Sequence, residues 1–232
     1  SPSVLDPYFW LDVYNALPIK LRSARALLET WNERGDGLRW AAAAIVIIGI
    51  IALAIGLDRW WFPRFIAMSS HTRSAKAWTS LCVFIWLAVR TPVASFAALS
   101  ILGLLGLLTF RLEQIGEGLV AGIAAAAFGH GVARGMFAPT EPERRMVQED
   151  DETALCFFNH LVWPSRALGV LVVLQVIHKT LFAPLIITVA TNALFAAVTV
   201  AFLVNLVIRL GRIKKSRGEA LVAAAWAHPL AL

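Results

Sequence analysis

Apolar and polar positions in this chain are segregated into long blocks. Leu38–Leu57, "LRWAAAAIVIIGIIALAIGL", carries one charge, Arg39, near its start. A helix rises about 1.5 Å per residue, so some twenty such residues match a bilayer core about 30 Å thick. Four more blocks follow: Val93–Phe110, Gly118–Ala138, Leu161–Phe182 and Leu185–Ile208. Between them lie polar connections: "DRWWFPRF" after the first, "RLEQIGE" at 111–117, a proline- and charge-rich stretch at 139–153, a short turn near Lys179, and "RLGRIKKSRG" after the last. Upstream, Leu21, Ala24, Leu27, Leu28 and Trp31 recur at helical spacing with Arg22, Arg25, Glu29 and Glu33 between them. That pattern predicts a short amphipathic helix lying along a membrane surface.

Ala77–Val89, bounded by Lys76 and Arg90, is too short for an upright span. It is expected to be an interfacial helix or an elbow, separated from the next span by Pro92. The fold class that results is all-α: a polytopic membrane protein of about five transmembrane helices plus interfacial amphipathic helices. Its parts are a periplasmic or interfacial lead-in at 1–37, a transmembrane domain at 38–210, and a basic connection at 211–232 with the start of a further helix.

Composition agrees with this. The 232 residues are 59% hydrophobic and 16% charged, where a soluble domain carries about a quarter charged residues. The mean hydropathy is +0.70. The net charge of +6 marks cytoplasmic loops, and no nucleic-acid partner is expected. The two most basic short segments are 59–76 (Arg59, Arg64, Arg73, Lys76) and 209–217 (Arg209, Arg212, Lys214, Lys215, Arg217). Both fall inside when an even number of spans separates them, which holds if Ala77–Val89 does not cross. The N-terminus is then outside, although Lys20, Arg22 and Arg25 weigh against that placement. With no initiator Met, and with "AWAHPLAL" at its end, the chain reads as a fragment.

Candidate chemistry is sparse. Glu149, Asp150, Asp151 and Glu152 are consecutive and point in different directions, which suits helix capping better than metal ligation. His130 and His160 have no "HExxH" context, Ser95, Ser100 and Ser165 no "GxSxG", and Cys82 and Cys156 no zinc spacing. No catalytic residue, cofactor or metal site is expected. Arg59, Trp60, Trp61, Arg64 and Trp86 are the expected lipid and interface anchors, because indoles settle at headgroup level and basic side chains reach anionic leaflets. Gly118, Gly122, Ala126, Gly129 and Ala133 make a narrow face for close helix approach, within one subunit or against another. Arg166 is expected to snorkel from the inner end of the fourth span, and Gln175, Asn192 and Asn205 to bond between helices.

"LVAGIAAAAFGHGVARGMFAPTEPERRMVQEDDETA" resembles the membrane domain that precedes the pore in large MscS-like mechanosensitive channels of proteobacteria. The features carrying the likeness are a Gly/Ala-rich helix ending at Arg134, "FAP" at Phe137–Pro139, Pro142 with Arg144 and Arg145, and the Asp150–Asp151 pair. "SPSVLDPYFWLDVYNALP" looks like that family's periplasmic approach to the membrane. The resemblance implies an accessory, lipid-facing, tension-sensing domain of a homo-oligomeric (heptameric) channel in the bacterial inner membrane. The family's pore helix and β-rich vestibule have no counterpart in this chain. A small-solute transporter is the alternative.

Overall fold

A computed structural model describes residues 4, 6–33, 36–67, 73–138, 145 and 151–216. They form six helices: α1 Pro7–Asn32, α2 Gly37–Ala67, α3 Arg73–Leu104, α4 Phe110–Phe137, α5 Asp151–Thr180 and α6 Leu185–Ser216. No strand occurs among the described residues. Five helices, α2 to α6, are long and apolar enough to cross a membrane. The chain is thus an all-α bundle with the architecture of a multi-pass membrane domain.

Several boundaries differ from the expectations above. α2 runs on through "DRWWFPRF" to Ala67, and α6 runs through the start of the basic stretch to Ser216. Ala77–Val89 and Val93–Leu104 are one continuous helix, α3, with Pro92 inside it. Proline deprives the Ala88 carbonyl of its helical donor, but α4 supports α3 on both sides of the break, with Gly131 against Phe84 and Gly116 against Leu99. Such support lets membrane helices keep an internal proline. The α3–α4 turn is residues 105–109, and the polar "RLEQIGE" lies in the first turns of α4. Thr109 starts that helix by accepting from the Leu112 amide at 3.2 Å. Gly106, at φ +68°, supplies the left-handed conformation the turn needs. Finally, the fourth span begins earlier than Leu161: residues 151–160 and the span are a single helix running through Pro164. The N-terminal helix is also longer than its periodic part: Asp6 caps it from the Tyr8 amide at 3.0 Å, and it continues through Pro18.

Packing is uneven. α3, α4 and α5 form two tight antiparallel hairpins that share α4, while α2 lies on α3, α6 on α5, and α1 on α6. One end of the bundle, here the turn end, holds the short connections 105–109 and 181–184. Lys20 of α1 closes it by donating to the carbonyls of Leu181 (3.0 Å) and Phe182 (2.8 Å). The opposite, open end holds the start of α3, the end of α4 and the start of α5. Ile48, Leu53, Leu194 and Leu203 are more than half exposed along the shafts of α2 and α6. In water that surface would drive association. Against lipid tails, which are as apolar as leucine, it costs nothing.

Candidate functional site

The seam between α4 and α5 is built on glycine. A Cβ on Gly118 would sit 2.6 Å from Val176 Cβ, and one on Gly122 would sit 2.5 Å from the Gly169 carbonyl oxygen. The reciprocal clash, from Gly169 onto the Gly122 carbonyl, is as severe, so the backbones themselves touch there. Gly129 faces Ser165, and Ala126 lies against Gly169. Ala133 is fully buried. On the other side of α4, a Cβ on Gly131 would sit 2.9 Å from the Phe84 carbonyl oxygen, and one on Gly135 3.0 Å from that of Ser80, both on α3. The small-residue face thus has two edges, each occupied by a helix of the same chain.

The attachment of α2 is of another kind. Asp58 of α2 forms an ion pair with Arg90 of α3 and accepts from the Trp86 indole at 2.9 Å. Trp61 stacks on Trp86, centroids 6.1 Å apart at 11°. Trp60 packs edge-on to Trp61, and the Arg64 guanidinium lies 3.7 Å from the Trp60 ring centroid. Four of the five anchor candidates therefore form one cluster; Arg59 is exposed beside it. In the sequence, Asp58 falls among the polar residues after the first apolar block and Arg90 at the boundary of Ala77–Val89, so neither stands out as a site residue. The signal was present, because an acid at the end of one apolar block and a base inside another make a possible intramembrane pair. Their pairing depends on the register of α2 on α3, which no local pattern encodes. Two crevices flank this contact. One, about 350 Å³, includes Asp58, Arg90, Thr91 and Ser95; the other, about 400 Å³, is almost wholly apolar and includes Leu57, Trp86 and Val93.

The remaining candidates are dispersed. His130 packs edge-on to Phe158, and the His160 ring lies 2.8 Å from the Cys156 carbonyl on its own helix. Arg166 lies over Trp163 at 5.3 Å. Gln175 donates to Asn192 at 2.8 Å, joining α5 to α6. No group of three or more metal-ligating side chains occurs among the described residues. Pro139, Pro142, Arg144, Glu149 and Asp150 lie outside the described residues. Arg145 is described, and it is buried. It donates Nε to the Phe137 carbonyl (3.1 Å) and Nη2 to the Asp151 carboxylate (2.7 Å), so it staples the end of α4 to the start of α5. Arg145→Ala is expected to lower unfolding stability by about 2 kcal/mol, the scale of charge-assisted hydrogen bonds. Detergent-micelle denaturation followed by circular dichroism would measure it.

Comparison with protein-family models, with characterised proteins and with solved structures gave no match. The resemblance to MscS-like channels therefore rests on the quoted motifs alone. The geometry adds a mechanical asymmetry: a glycine-welded α3–α4–α5 core, and an α2 joined to it by α3 through the Asp58–Arg90 ion pair, a tryptophan cluster and apolar side chains.

Proposed function

We propose that this chain is the lipid-facing, tension-sensing membrane domain of a mechanosensitive channel subunit, whose pore module lies outside these 232 residues. The observation that supports this reading is the attachment of α2. Tension favours the state of larger in-plane area and thins the bilayer. A helix bordered by open crevices and held by few contacts can respond, while a backbone-to-backbone seam cannot. The tryptophan and arginine cluster at the end of α2 couples helix position to headgroup level. The open end, rich in basic residues, is cytoplasmic in this reading, the membrane is the bacterial inner membrane, and the domain works within a homo-oligomer.

Nitroxide pairs test the idea. Leu53 on α2, Leu119 on α4 and Leu168 on α5 are exposed and suited to labelling. Between long-chain and short-chain phosphatidylcholine liposomes, the 53–168 distance is expected to change by several ångström and the 119–168 distance to stay constant. The Trp60→Ala/Trp61→Ala/Arg64→Ala variant should lose the change. Equal constancy of both distances would remove α2 as a sensor.

One observation favours a transporter instead: a charge pair set within apolar helices is how substrate and ion paths are often marked. Solute uptake by liposomes containing the chain, abolished by Asp58→Asn, would support that reading over the channel.

A further inference from the structure

Contacts between neighbouring helices tie their heights together. Trp61 stacks on Trp86. Gly131 of α4 lies against Phe84 and Ala88, which bracket Trp86. Gly129, two residues before it, faces Ser165, two residues after Trp163 on the antiparallel α5. Trp60, Trp61, Trp86 and Trp163 therefore stand at one level on α2, α3 and α5. On α6 the Gln175–Asn192 bond places the same level near Val204 and Asn205.

From this tryptophan level to the turn end, each helix covers nearly the same height. Trp40 to Trp60, Trp86 to Leu104, Trp163 to Phe182 and Leu185 to Val204 each rise about 27–30 Å, the thickness of a hydrocarbon core. The far edge is aromatic too: Trp40 packs on Trp31 of α1, and Phe110 and Phe182 are exposed. Charges inside the band are few. Asp58 and Arg90 are paired, Arg59 adjoins Trp60, Arg166 lies one turn from the tryptophan level, Arg111 and Glu113 follow Phe110 in the first turn of α4, and Glu117 and Lys179 share a polar pocket with Gln114 and Thr180 near the turn end.

Burial is denser beyond this level. Toward the open end lie the buried side chains Thr79, Ser80, Val83, Ala133, Arg145 and Ala154, while inside the band Ala43, Thr180, Ile187 and Ala190 are buried against neighbouring helices and Leu107 in the turn. Water drives such enclosure, whereas lipid leaves apolar side chains indifferent to it. Arg73, Lys76, Arg134, Asp151, Glu152, Arg209 and Arg212 fall on this side as well.

We propose that the bilayer covers only the band between the two aromatic levels, and that the open end of α3, α4, α5 and α6 stands in water as a helical stalk continuous with the spans. Ala77–Ile85 is then helical and continuous with a span, yet outside the hydrocarbon. This placement does not depend on the channel reading; it would hold equally for a transporter.

The test is a nitroxide scan of the 232-residue chain in liposomes, at Leu81, Ile85, Val89 and Val93 on α3 and at Leu155 and Leu168 on α5, all exposed positions. Collision with a water-soluble nickel chelate and with lipid-soluble oxygen is read at each, in variants whose helicity matches the parent. Chelate collision is expected to dominate at 81 and 155 and to fall several-fold by 93 and 168, where oxygen dominates. A crossover anywhere between 81 and 93 supports the placement. Shielding of 81 and 155 from the chelate, whether by lipid or by protein, overturns it.

Discussion

Replacing Gly122 with leucine is expected to destabilise the bundle by about 3 kcal/mol or more, at or above the upper end of ordinary overpacking costs. The cause is specific. A Cβ at this position meets the Gly169 carbonyl at 2.5 Å and the side chain of Val173 at 2.6 Å. A flexible side chain can move aside, but the carbonyl belongs to the backbone of α5, so the whole helix must retreat. That retreat would also loosen Gly118 from Val176 and Gly129 from Ser165, because the three lie along one seam. Gly56, which has nothing within 4 Å, is the matched control: Gly56→Leu should be neutral or slightly stabilising, since leucine forms helix better than glycine by somewhat under 1 kcal/mol. Denaturation in mild detergent, followed by helicity, compares the two. Equal midpoints for the two variants would show that α4 and α5 do not approach as closely as described.

The second large effect concerns Asp58 and Arg90. Removing one member of a buried pair leaves an uncompensated charge, at a cost of about 3–5 kcal/mol where burial is complete. Here the side chains are 37% and 24% exposed, so a smaller loss of about 2 kcal/mol is expected for Asp58→Leu. Arg90→Leu should cost about the same. The double variant should return to within about 1 kcal/mol of the parent, because two apolar side chains in an apolar contact strand no charge. Trp86→Phe should cost about 1 kcal/mol through loss of its indole bond to Asp58. If the two single losses simply add in the double variant, the pair is not coupled, and α2 would be held by its tryptophan cluster and its apolar packing on α3.

The two predictions separate what was legible in the chain from what was not. Segregated apolar blocks specify membrane helices from sequence alone, since a backbone in hydrocarbon must satisfy its own hydrogen bonds and a helix does so within one segment. The five-span count follows, and so does the small-residue face of α4, where glycine recurs at helical spacing. Boundaries were harder, for a physical reason. Pro92 and "RLEQIGE" look like breaks because proline and charge oppose an isolated membrane helix. Each is carried inside a continuous helix: Pro92 braced by α4, and "RLEQIGE" placed near the turn end, where charged side chains can reach water. Arg145, in a stretch that reads as a plain loop, closes α4 onto α5 because tertiary contact gives its charge a carboxylate and a carbonyl. What only the tertiary structure decided is register. Sequence spacing along α4 shows that another helix can come close, and the packed bundle decides that α5 takes one edge and α3 the other. Sequence places Asp58 and Arg90 in separate helices 32 positions apart; only the antiparallel register of α2 on α3 sets them side by side.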